Sequence, residues 1–88
     1  MEQSLLKILK REENAVYDIN RVEDSIEICL DQRKRIEANP LDCEAKRRDL
    51  QECDELIAQY RATLQLYQNN LRDVRSELRQ WLRAVLTE

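Results

Sequence analysis

The chain has no glycine, no phenylalanine and no histidine, and its 88 residues include one proline and one tryptophan. Each absence excludes something. Without glycine, the tight turns of a hairpin-rich β fold lose their usual residues. Without histidine, Ser4, Ser25, Ser76, Thr63 and Thr87 have no imidazole base, and no nucleophile–base pair can be drawn. Cysteine is scarce too. Cys29, Cys43 and Cys53 are an odd set with no C-x-x-C spacing, and the chain cannot supply the four N/S ligands of a zinc site. Carboxylate pairs such as Glu23/Glu27 or Asp49/Glu52 could form half of a helical metal site, but the inward-facing histidines that complete one are missing. The expectation is no enzyme, no metal and no cofactor.

Long apolar runs are also lacking. No stretch approaches the ~20 residues that span a bilayer. The opening "MEQSLLKILKREEN" is acidic at its start and too briefly apolar for a secretory signal. The net charge is −3 with the signs mixed, whereas a general nucleic-acid binder shows a basic balance. The cysteines read as reduced thiols serving as small apolar residues, which predicts a cytoplasmic protein.

What is present is the Leu/Glu/Arg/Gln/Ala mixture of long helices. One interruption stands out, "RIEANPLDCEAK". Asn39 is suited to an N-cap, Pro40 to a first helical position and Asp42 to the third. Pro40 also drives Asn39 out of the α region, so an earlier helix must stop by about Ala38. Helix 1 is predicted over about 3–37 and helix 2 over about 40–87.

Each helix carries an apolar seam spaced alternately three and four residues apart. In helix 1 it runs Met1, Leu5, Ile8, Glu12, Ala15, Ile19, Val22, Ile26, Cys29, Arg33 and Ile36. In helix 2 it runs Leu50, Cys53, Ile57, Tyr60, Leu64, Tyr67, Leu71, Val74, Leu78, Trp81 and Val85. The second seam passes Asn69–Asn70 without a phase slip, which predicts one unbroken helix. Two such seams joined by a tight turn fold back antiparallel. The predicted fold is all-α, a single helical-hairpin domain over 1–88. A turn centred on Asn39–Pro40 makes facing position numbers sum to 79. That register sets Glu12 against Tyr67, whose hydroxyl could donate to it, and Arg33 against Lys46. It also sets Met1 against Leu78.

Two sets of apolar residues then have no partner inside the hairpin. Leu9, Val16 and Leu30 form a second stripe on helix 1, with Leu6 nearby, and Leu56 widens the seam of helix 2. A two-stranded coil needs only the narrow seam, so the wider stripe predicts a further helix alongside. Beyond Leu78, the tail residues Trp81, Leu82, Val85 and Leu86 have nothing opposite. Residues 79–88 are expected to overhang by roughly 15 Å and to offer Trp81 as an interface anchor.

Arg72, Arg75, Arg79 and Arg83 form a basic strip beside that tail. It is first a solvated face near a helix C-terminus and second a contact for acidic groups on a partner. Tail and strip together have the composition of a membrane-surface helix, but the apolar residues continue the seam.

A helix of about 35 residues, an Asn-Pro turn and a long second helix resemble the small helical-hairpin co-chaperones of bacterial type III secretion systems. The stretches that carry the likeness are "DINRVEDSIEICLDQRKRIEANP" and "LQECDELIAQYRATLQLY". That resemblance implies a cytoplasmic partner for a tetratricopeptide-like chaperone, the two together holding a polymerising needle subunit. A stalk protein of an export apparatus, or a segment of a larger scaffold, is also similar. The expected function is protein–protein binding by helix docking, as a small adaptor or co-chaperone. The competing expectation is self-assembly with a second copy as a structural coiled coil. Neither involves nucleic acid or membrane insertion.

Overall fold

A computed structural model of the chain describes residues 4–87. Leu5–Glu37 forms α1 and Glu44–Leu86 forms α2. They pack along each other as an antiparallel hairpin 69 Å long and 16 by 14 Å across. No described residue has a positive φ and none follows a cis peptide bond. The chain therefore reverses direction without the backbone conformations that glycine supplies.

Ser4 opens α1. Its hydroxyl accepts the Lys7 N–H at 3.3 Å, which satisfies one of the unpaired donors of the first turn. At the other end, Lys46 reaches back from α2. Its ammonium donates to the carbonyls of Glu37, at 3.4 Å, and Asn39, at 2.7 Å. A cation suits the negative end of a helix.

Asn39 does not cap α2. Its Oδ1 accepts the Leu41 N–H at 3.0 Å, and this local bond holds residues 39–41 in a turn. Helix 2 begins later, at Glu44, after an extended Cys43 with φ −135° and ψ 165°. Asp42 accordingly lies outside the helix and pairs with Arg47 at 3.5 Å. From Glu44 onward α2 is continuous through Asn69–Asn70, where the Gln65 amide donates to Asn69 Oδ1 at 3.1 Å.

The core is a thin line. Ile8, Ala15, Val22 and Cys29 of α1 are buried, seven residues apart, and Cys53, Ile57 and Val74 are buried on α2. Most of the other seam positions, including Ile19, Ile26, Leu64, Leu71, Leu78 and Trp81, are half-buried. Each helix has one neighbour, so a seam residue is covered from one side only.

Among the described residues, three ion pairs cross the hairpin and mark its register. They join Arg11 to Glu77, Glu12 to Arg75 and Arg33 to Asp54. Their position numbers sum to 88, 87 and 87, not to 79. Long side chains lean toward the N-terminus of their own helix, so such contacts overstate the level by a residue or two. The nearby register that keeps both seams facing sums to 86, one heptad beyond 79. It sets Ile8 level with Leu78, Ala15 with Leu71, Val22 with Leu64 and Cys29 with Ile57.

Two expected contacts are thereby replaced. Glu12 meets Arg75 at 3.0 Å in place of Tyr67. Arg33 meets Asp54 at 2.6 Å, and also Glu37, in place of Lys46. The slide of one heptad is about 10 Å, and it changes both ends. Trp81 becomes level with Leu5, so it lies beside the first turn of α1 and not beyond it. The expected Met1–Leu78 pair is displaced by Ile8, and Met1 itself lies outside the described residues. α2 overshoots α1 at both ends: Glu44–Arg48 run past Glu37 at the loop, where Glu44, Ala45, Arg47 and Arg48 are exposed, and Leu82–Leu86 run past Leu5, where all five are exposed.

Candidate helix-docking surface

The ion pairs divide the hairpin lengthwise into two flanks. Arg11 and Glu77 mark the first flank. Arg11 grips the Glu77 carboxylate with Nη1 and Nη2 of its guanidinium, which donate to Oε2 at 2.6 Å and Oε1 at 3.2 Å. That hydrogen bond, with the attraction of the charge, holds the Glu77 carboxyl below the usual carboxylate range, against a smaller opposing effect of desolvation. It raises the Arg11 guanidinium in turn. Glu12–Arg75 and Arg33–Asp54 mark the second flank. Arg33 is raised above its ordinary value, first by its hydrogen bond to Asp54.

The first flank is polar at its centre. A shallow groove of about 290 Å³ there is lined by Asp18, Arg21, Ser25, Thr63 and Tyr67, among others. Leu56, 43% exposed, belongs to this flank. It is therefore separated from the other stripe residues by the width of the hairpin.

The second flank is apolar toward the chain termini. Leu9, Val16 and Leu30 each follow a buried α1 residue by one position, and that offset places them on this side. Leu9 is 42% exposed, Leu30 37%, and Val16 is half-buried. Leu6 lies alongside at 75% exposed. From α2, Leu82 joins them at 42% and Leu86 at 83%. Leu78 and Trp81 lie in the seam itself and are half-buried, while Val85, the last seam residue, is 39% exposed. The structure thus sets Leu9 and Leu82 near each other at one end of one flank, with Leu86 past the start of α1 and Val16 about 10 Å further toward the loop. Leu30 stands further along the same flank, toward the loop.

Charge on this flank is sorted by helix. Between Leu9 and Leu30, its charged α1 residues are Glu13, Glu23 and Glu27. Between Ala58 and Leu82, its charged α2 residues are Arg61, Arg72, Arg75 and Arg79. Arg75 is engaged by Glu12. Of the basic strip expected from the sequence, Arg72, Arg75 and Arg79 share the flank, and Arg83 falls on the outer face of α2. The acidic edge of α1 was not anticipated. Its signal is the recurrence of Glu13 and Glu27 two heptads apart, with Glu23 in the Leu9–Val16–Leu30 series.

Among the described residues, no helix is long and apolar enough to cross a membrane, and no group of three or more Cys, Asp and Glu is placed to hold a metal ion. Comparison with known protein families, curated proteins and solved structures finds no match for this chain.

Proposed function

We propose that this chain is a protein-binding module that docks helices on its second flank, acting as a small adaptor or co-chaperone subunit. The observation that carries the proposal is the run of exposed apolar residues on that flank, with Leu6 at 75% and Leu86 at 83%. Fully burying a side chain of this kind contributes about 1.5–3 kcal/mol. A hairpin with so thin a core gains more from such burial than a larger domain would. The mechanism is the insertion of a neighbouring helix along the stripe, with the flanking charges setting direction and register. The secretion co-chaperones that the sequence resembles would make the docked partner a helical chaperone.

Photo-crosslinking in the producing cell tests the proposal. A photo-reactive residue replaces Leu9, Leu30 or Leu82 on the second flank, or Gln59 on the first. Discrete adducts are expected from the three flank positions and none from Gln59. Equal labelling from all four, or none from any, would sink the docking reading. The adduct mass reports whether the partner is another protein or a second copy.

A further inference from the structure

We infer that the second flank is closed by a second copy of this chain, in a two-fold dimer whose axis runs parallel to the hairpin. The inference rests on the reading of that flank as a docking surface and specifies its occupant. It is carried by the sorting of charge between the two helices. Along the middle of the flank, α1 presents Glu13, Glu23 and Glu27, and α2 presents Arg61, Arg72 and Arg79. None of these six takes part in an ion pair among the described residues. An acidic edge and a basic edge thus run side by side, both unneutralised.

A two-fold axis parallel to the hairpin lays α1 of one copy against α2 of the other at equal height. The register of the hairpin gives those heights. Glu13 comes level with Arg72 and Arg75 of the other copy, and Glu23 with the span from Arg61 to Gln65. Leu6 comes level with the span from Arg79 to Leu82, and Leu30 approaches Ala58. Each contact occurs twice, as a two-fold interface requires. Every helix then has antiparallel neighbours, the arrangement of an up–down four-helix bundle. A two-fold perpendicular to the hairpin would instead set α1 against α1, acid on acid. Glu13 thus finds Arg72 of the other copy, and Glu23 and Glu27 find Arg61, near their own heights, while Arg79 falls beside Leu6.

Sedimentation equilibrium on the full chain, with charge reversal, tests this. The wild-type chain should sediment as a dimer of about 21 kDa, twice its 10.6 kDa. One variant carries Glu13→Arg and Glu23→Arg, so that both edges are basic. The other carries Arg61→Glu and Arg72→Glu, so that both are acidic. Each alone should dimerise about tenfold or more weakly than the wild type. An equimolar mixture should restore the dimer, because each basic edge then meets an acidic one. The mixture keeps the test decisive even where a single variant is poorly folded alone. A monomeric wild type, undiminished dimers of both variants, or a mixture that stays monomeric would each overturn the inference. Docking itself would survive a monomeric wild type if the flank crosslinks gave adducts with another protein.

Discussion

Arg11 and Glu77 lie 66 positions apart in the chain and meet in a two-pronged ion pair, with Nη1 and Nη2 of the guanidinium on the two carboxylate oxygens. This pair ties the first third of α1 to the last quarter of α2.

Its pH dependence follows from the direction of the Glu77 shift. The folded carboxyl is held below the ordinary range, so its contribution is full above the unfolded value, about 4.3. It is lost as pH falls through the lower folded value. Thermal unfolding followed by circular dichroism should show the wild-type midpoint falling across this acid window. Glu77→Gln should start lower at neutral pH and fall less. Parallel curves for the two proteins would show that the pair does not govern the acid limb.

Among the described residues, Val74 is the most buried side chain, at 1% exposed. Val74→Ala removes two methyl groups from the centre of the seam and should cost about 2 kcal/mol in urea unfolding. Leu66→Ala, at a position 67% exposed, should change stability by no more than about 0.5 kcal/mol. Equal losses at both sites would mean that the seam does not run where the structure places it.

The register has a direct test. In a chain freed of its own cysteines, spin labels at positions 12 and 75 should lie close together. Labels at 12 and 67 should be separated by a further offset of about 12 Å along the axis. The reverse order of distances would restore the register centred on Asn39–Pro40.

Thiol chemistry reports the same packing. Cys29 and Cys53 are buried and Cys43 is exposed. A disulfide reagent added to the native chain should titrate one thiol rapidly, and mapping should place it at Cys43. The other two should react only at the rate of local opening. Three equally fast thiols would contradict the placement of Cys29 and Cys53 in the seam.

Much of the fold is legible in the order of residues. The three-and-four spacing from Leu5 to Ile36 and from Leu50 to Val85 determines two helices, their inward faces and the continuity of α2 past Asn69–Asn70. Local chemistry near the turn was harder to read. Asn39 is equally able to cap a helix or to bond two residues ahead, and only the packed chain shows the second. The stripe Leu9–Val16–Leu30 was visible as a pattern, but its separation from Leu56 was not. Spacing along one helix does not say which side of the partner helix it joins.

The register is what the sequence left open, and tertiary structure decided it. A heptad seam looks the same after a slide of seven residues, so apolar pairing alone scores the sums of 79 and 86 alike. Charges break that degeneracy. The longer register sets Arg33 on Asp54 and Glu12 on Arg75, where the shorter would set Arg33 on Lys46. That single heptad brings Trp81 back beside Leu5 and divides the overshoot of α2 between the loop end and the last turn, Leu82–Leu86. The sequence by itself determined a helical hairpin with an apolar stripe to spare. Tertiary packing determined which residues of that stripe come level with one another, because a slide of one heptad keeps each residue on its flank and changes only its height.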